Sequence, residues 1–315
     1  MTSAVRCLAC GEAAGELWAS AVDVEYETTA DRFEYWLCGR CDCLVIDPVP
    51  SDRLDEIYPP SYYSFAGASG PLDAGRNPVT RVKGMLDRIN LRRALREVDT
   101  DRPAILDVGG GTGAICASLI EATGPGATGT VVDFDPGSAA VAEGRGLEAV
   151  TARFEDYEPE RQFDLVLMLN LIEHVEDPIG VMRKAAGLLA PGGIVWIQTP
   201  NFRALDARVF RDRNWAGLHC PRHWVIFSAD GLPRALGRAG LEVVRLRRTQ
   251  GGAFWAASIL GSLRRRRPGA NGRPLVNDPL FLPLAAGAAA FDICTGPLRQ
   301  TSQVVCLARS AAAAN

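Results

Sequence analysis

The stretch Ile105-Leu-Asp107-Val-Gly109-Gly-Gly111-Thr-Gly113 constrains this chain more than any other. Residues 104–108 form an apolar run of strand length that takes in one acid and ends on a glycine-rich turn. A run that is apolar on both faces suits a parallel strand buried between helices. Glycines just beyond it let backbone approach a ligand where any Cβ would collide. A helix starting there would aim its unpaired amides, and the positive end of its dipole, at the same ligand.

The sequence around the turn supplies a sheet to hold it. Spacing predicts strands at 104–108, 128–133, 147–151, 163–169, 193–199, 241–248 and 303–308, with helices over 113–123, 137–145, 177–189 and from Ser228 to about 240. An amphipathic helix over 79–98, carrying Val82, Met85, Leu86, Ile89, Leu95 and Val98, should cover one face. This alternation specifies an α/β fold of the Rossmann-like kind, seven strands with helices on both faces and ligands at the carboxyl ends of the strands. Ahead of it, 1–60 reads as a separate small module and 61–102 as a linker plus the covering helix. Within 103–315, the polar and aromatic segment 201–230 reads as a lid and 250–300 as an insertion.

The small module is defined by cysteine. The chain has nine, an odd number, and five fall between Cys7 and Cys43, which suits a metal site in a reducing compartment better than a disulfide framework. Cys7-Leu-Ala-Cys10 and Cys38-Gly-Arg-Cys41 are two knuckles whose four thiolates favour tetrahedral structural zinc, with Cys43 as an alternative to Cys41. Residues 26–37 alternate like a strand that returns the chain between them. A segment this small, with few large aliphatic residues, would need the ion to hold its fold. Residues 58–63, rich in proline and tyrosine, either line a substrate mouth or pack the module onto the next domain.

A formal net charge of −3 and a pI near 5.8 give no broad basic footprint, so nucleic acid is not an expected partner. The chain has neither a secretory-type start nor a run of about 18 apolar residues, and a cytoplasmic location is expected. The apolar stretch Leu280 to Phe291 is too short to span a bilayer and reads as a helix packed on protein; with Arg264 to Arg267 it offers a second reading, contact with an anionic membrane surface. Oligomeric state is not encoded in any pattern of this kind.

Asp133 closes the second strand twenty residues beyond Gly113, where a carboxylate can accept both hydroxyls of a ribose, and Asp135 competes for that role. The glycine spacing alone fits an NAD(P)-dependent oxidoreductase as well, and a zinc module with an arginine run would also suit a non-enzymatic adaptor. The remaining motifs discriminate. Asp107 two residues before the first glycine, Phe163-Asp164-Leu-Val, Asn170-Leu-Ile-Glu173-His174-Val-Glu-Asp177-Pro178 and Pro191-Gly192-Gly193 stand in the order and at the spacing of class I S-adenosylmethionine-dependent methyltransferases. Over residues 103–201 the chain resembles that family.

The resemblance implies roles for individual residues. Gly109, Gly111 and Gly113 would admit the methionine part of S-adenosylmethionine, with Asp107 supporting its ammonium group. Asp133 would hold the ribose and Phe134 would flank the adenine, with Phe154 beside it unless both aromatics belong to the core. Glu155 or Asp156 would meet the exocyclic amine, and Asn170 would pass beneath the sulfonium. His174 and His223 are the candidate bases and Arg222 a candidate clamp for an anion or hydroxyl. The pattern Trp215, then Pro221-Arg222-His223-Trp224, then Ser228, together with the cysteine knuckles, Asp47-Pro48-Val49-Pro50 and the tyrosine-rich turn, is similar to bacterial sugar C-methyltransferases. That similarity implies a small-molecule acceptor such as a nucleotide-linked sugar or a glycan precursor.

Overall fold

A computed structural model of the chain describes residues 4–59, 62, 94–264 and 274–311. The N-terminal module folds as an antiparallel sheet of β1 (Glu16–Ala21), β2 (Phe33–Cys38) and β3 (Cys43–Asp47). The strand read into 26–37 begins only at Phe33. Tyr26 lies before it, in a turn where its amide donates to the Asp23 carboxylate at 3.0 Å.

The central sheet follows with β4 (Ala104–Val108), β5 (Thr128–Asp133), β6 (Glu148–Thr151), β7 (Phe163–Leu169) and β8 (Leu189–Pro200), all parallel. A short strand β9 (Val225–Phe227) leaves this sheet and pairs antiparallel with β3, matching Cys43 with Phe227 and Val45 with Val225. The chain returns through β10 (Leu241–Thr249) and β11 (Gln303–Ser310), and β11 runs antiparallel between β8 and β10. Among the described residues the order is β10-β11-β8-β7-β4-β5-β6. β4 and β7 are neighbours although β5 and β6 separate them in sequence, so the sheet reverses direction beside β4, where α/β sheets open a crevice for ligands.

Burial explains why these segments are strands. Ile105, Leu106, Val108 and Leu165 to Met168 are at most 1% exposed, as expected for strands covered on both faces. Two flanking helices start on an aspartate cap with proline at the first position. Asp135 accepts from the amide of Ser138 at 2.8 Å to open Pro136–Gly144, and Asp177 accepts from Gly180 at 2.8 Å to open Pro178–Gly187.

The covering helix over 79–98 and the linker fall outside the described residues as far as 93; Ala94 and Val98 are buried against the sheet. The 250–300 segment forms two helices, Gly252–Arg264 and Phe281–Thr295, that pack against each other through Ala256, Leu260 and Phe281. Arg265 to Arg267 lie outside the described residues. No helix among those described is long and apolar enough to cross a membrane.

Segment 201–230 is not the open loop its polarity suggested. Phe202, Trp215, Leu218, Trp224 and Ile226 share a second core with Trp18, Phe33, Tyr35, Leu44 and Ile46 of the N-terminal sheet. Trp215 Nε1 donates to Asp206 at 2.6 Å and Tyr35 donates to the Leu218 carbonyl at 3.1 Å, so polar groups that look loop-like in sequence are bonded inside protein.

Candidate active site

The glycine turn sits at the carboxyl end of β4. Gly109 and Gly113 have φ of +65° and +67°, a conformation that favours glycine, and a Cβ at Gly109 would come within 2.8 Å of the Leu171 side chain in the turn after β7. Asp133 ends β5. Its carboxylate accepts from the amides of Gly111 at 2.9 Å and Asp135 at 3.0 Å, which locks the turn to the acid. Asp135 spends its own side chain on the helix cap, which leaves Asp133 as the acid facing the turn.

Asp107, beneath the turn, is 2% exposed. Burial, with the charge of Asp133 adding to it, pushes its carboxyl up to about 7. Phe134 follows Asp133 and is 56% exposed, standing edge-on to Tyr58 with ring centroids 6.4 Å apart. Asn170 leaves β7 at φ +54°; its amide donates to the Gln198 carbonyl at 2.7 Å and its side-chain oxygen accepts from Gln303 at 3.2 Å.

Two expected cofactor contacts land elsewhere. Phe154 is 6% exposed and packs in the main core under Lys184, whose Nζ lies 5.6 Å from the ring centre, so its ring has no face left for adenine. The Glu155 side chain is turned to Arg153 at 3.5 Å on the exterior, while its backbone carbonyl accepts from Lys184.

Three histidines, one from the turn after β7 and two from segment 201–230, meet beside this cradle. Ring centroids of His174 and His223 are 4.5 Å apart, those of His219 and His223 5.1 Å. Tyr58, Tyr62 and Tyr26 from the N-terminal module complete the wall: the Tyr58 hydroxyl lies 2.9 Å from His174 Nδ1, and the Tyr62 and Tyr26 rings are 5.9 and 6.1 Å from His219. The two histidines expected as bases, His174 and His223, are thus joined by His219 in one cluster. Phe134, Tyr58 and His174 form a continuous aromatic path from cradle to cluster.

His223 Nδ1–H donates to the Gly217 carbonyl at 2.8 Å, and His174 Nδ1–H to the Arg222 carbonyl at 3.1 Å. Burial lowers both imidazoles, His174 to about 3. His219 is bonded to Glu25 at 2.9 Å. Glu173, which entered the sequence reading only as part of a motif, is wholly buried beside them, and burial pushes it up to about 8.

The expectation for Arg222 needs correction. Its guanidinium is 0% exposed, ion-paired with the equally buried Asp23 at 2.9 Å and lying 4.6 Å above the Tyr26 ring. Burial alone would raise the Asp23 carboxyl; the Arg222 hydrogen bond and charge hold it below the usual range. Arg222 thus braces the wall from behind, with its guanidinium closed off from solvent and paired to Asp23. Asp23, Glu25 and Tyr26 were missed because their partners stand almost 200 positions away in sequence.

The cysteines form a second group. Sγ atoms of Cys7, Cys10, Cys38 and Cys41 lie within 4.8 Å of one another, with Cys10 and Cys38 3.6 Å apart. Tetrahedral zinc with bonds of about 2.3 Å needs sulfurs roughly 3.8 Å apart, so the set fits the ion. Cys43 is 3.6 Å from Cys7. Hydrogen bonds from Cys43 hold Cys38 down to about 4 and Cys41 to about 6, while Cys43 itself is pushed up as the donor.

A parallel sheet that reverses beside β4, a final antiparallel strand between β8 and β10, a glycine turn and a strand-end acid together define the class I methyltransferase form of the Rossmann-like fold. The family model described as a methyltransferase domain matches residues 82–246, more than half of the chain, and the chain belongs to that family. It is 34% identical over 131 residues to the ubiquinone biosynthesis O-methyltransferase of Thiobacillus denitrificans, covering 38% of this chain and 55% of that protein. Over 148 residues it is also 34% identical to the enzyme of that name from Xanthomonas oryzae, covering 44% of this chain and 56% of that protein. The chain spans about half the length of these curated relatives. Among solved structures, one from Galdieria sulphuraria described as a sarcosine dimethylglycine methyltransferase shares the fold, with a TM-score of 0.51 at 16% identity over 75% of this chain and 91% of that one.

Proposed function

We propose that this chain transfers a methyl group from S-adenosylmethionine to a hydroxylated small molecule bound against the tyrosine and histidine wall. The observation that carries the proposal is the continuity of the two half-sites, since the aromatic path through Phe134 and Tyr58 joins the Asp133 cradle to the three histidines. Asp107 would face the ammonium group of the cofactor, Asp133 the ribose hydroxyls and Phe134 the adenine. Asn170, held at positive φ at the end of β7, would lie beneath the sulfonium.

The donor arrives with its methyl carbon already activated by positive sulfur. The acceptor oxygen gives up its proton and attacks that carbon, and the carbon–sulfur bond breaks with its electrons to sulfur. Alignment and exclusion of water are most of what the protein must supply. With Nδ1–H of His174 and His223 tied to carbonyls, Nε2 of each is left to meet the acceptor. Tyrosine and imidazole rings stack on the apolar faces of a pyranose and hydrogen-bond its hydroxyls, which makes nucleotide-linked sugars and glycan precursors the first acceptors to test. Structural zinc on Cys7, Cys10, Cys38 and Cys41 belongs to the same proposal, supported by the sulfur spacing, and would hold the module that contributes the tyrosines. Membership of a methyltransferase family argues against the oxidoreductase and adaptor readings.

Calorimetry of the zinc-loaded protein with S-adenosylhomocysteine tests the donor half, and absence of binding would sink the proposal. Mass spectrometry of products formed from labelled S-adenosylmethionine with a panel of nucleotide sugars and cell extract tests the acceptor half.

A further inference from the structure

Methyl transfer as read above leaves Glu173 unexplained. One carboxylate oxygen of Glu173 and one ring nitrogen each of His174 and His223 lie within 4.8 Å of one another. Glu173 is 0% exposed. Thr199 donates to its Oε2 at 3.0 Å, but Oε1, equally buried, has no hydrogen-bond partner among the described residues. An orphaned carboxylate oxygen is costly to bury, and protonating it does not solve the problem, because the new O–H would need an acceptor there.

The two histidines are arranged as ligands. His223 Nδ1 lies 2.8 Å from the Gly217 carbonyl, and His174 Nδ1 lies 3.1 Å from the Arg222 carbonyl and 2.9 Å from the Tyr58 hydroxyl; because a carbonyl can only accept, each Nδ1 carries the proton and the lone pair falls on Nε2, the arrangement that orients metal-binding imidazoles. The segments that carry the three residues are also tied together, since the amide of Trp224 donates to the Glu173 carbonyl at 2.6 Å and His174 bonds the Arg222 carbonyl. The donors are therefore held by two strands of backbone fixed to each other.

We propose that Glu173, His174 and His223 bind one divalent first-row transition ion of the zinc class, at a second metal site apart from the cysteine cluster. Two neutral imidazoles and one carboxylate are a donor set such an ion accepts, and three protein ligands leave a tetrahedral ion an open position. The purpose of the site rests on the methyl-transfer reading: with both Nε2 lone pairs on the ion, the ion replaces the free imidazoles in meeting the acceptor, seating its oxygen beside the tyrosine wall and making its proton easier to lose. The chain has three histidines and all lie in this cluster, so an ion with imidazole ligands has no other place to bind.

Cobalt titration of the full-length metal-free protein, with metal content measured after desalting, tests the site. Cobalt on the cysteines shows intense thiolate-to-metal charge transfer in the near ultraviolet, whereas cobalt on nitrogen and oxygen donors does not. The expected result is one equivalent of cobalt without thiolate bands, lost in His223→Ala and in Glu173→Gln while the thiolate bands persist. If every bound ion shows thiolate character, or if the nitrogen and oxygen site survives in both variants, the inference is overturned. Should a variant fail to fold, the spectrum of the unmutated protein decides alone. S-adenosylhomocysteine calorimetry on the same samples separates the two claims: binding without the second ion removes this site and leaves methyl transfer standing, and no binding removes methyl transfer.

Discussion

At the scale of single residues, Asp107 sets the pH response expected of the proposed cofactor half-site. Its carboxyl is raised from 3.8 to about 7 in the folded chain, so the folded state holds the proton that the unfolded chain releases. The ligand-free protein should therefore lose the contribution of Asp107 as pH rises from about 4 to about 7, with buried Glu173, raised to about 8, extending the loss to that pH. A cation bound beside Asp107 favours its ionised form, so affinity for S-adenosylhomocysteine should climb from pH 5.5 to about 7.5, with proton release visible as a buffer-dependent heat in calorimetry. Asp133→Ala should weaken the same binding by about 2–3 kcal/mol through loss of a charged hydrogen-bond acceptor. Asp135→Ala should instead cost about 1 kcal/mol of stability through loss of the helix cap and change binding little, and thermal melts alongside calorimetry separate the two. Arg222→Ala strands the buried Asp23 charge and should destabilise by about 3–5 kcal/mol in denaturant unfolding. The role of Arg222 was not legible in sequence, because a polar residue in a Pro-Arg-His motif looks the same whether it faces a substrate or a buried aspartate 199 positions earlier.

At the scale of elements, the parallel strands were plain in sequence, because a strand buried on both faces must be apolar at every position, and Leu165 to Met168 show that directly. β9 was not. Three residues, Val225 to Phe227, are too few to show a period of two, and what makes them a strand is β3, whose Val45 pairs with Val225 from far earlier in the chain. Pairing with β3 turns segment 201–230 from a lid into a fixed wall carrying His219 and His223. A wall with a catalytic role predicts that His223→Ala lowers kcat about 100-fold while S-adenosylhomocysteine affinity changes less than about twofold. An equal loss in both would mean that the residue serves packing alone.

At the scale of the whole molecule, the N-terminal sheet and the central sheet share segment 201–230. Chelating the proposed zinc should release the knuckles and loosen β2 and β3, which meet at Cys38 and Cys43 and carry Phe33, Tyr35, Leu44 and Ile46 into the second core with Trp18, Trp215 and Trp224. Near-ultraviolet circular dichroism from those tryptophans should fall while the far-ultraviolet signal of the central sheet stays, and acceptor turnover should disappear before cofactor binding does. An unchanged near-ultraviolet spectrum would count against the cysteine site.

Tyr26, Tyr58 and Tyr62, with Glu25 behind His219, come from the first 62 residues, outside the span matched by the methyltransferase-domain family. On the proposed reading, the donor cradle lies wholly within that span, while the acceptor wall adds residues from before it to the histidines inside it. Relatives that exchanged their leading segment while keeping the central one would go on using the same methyl source and acquire a new molecule to decorate.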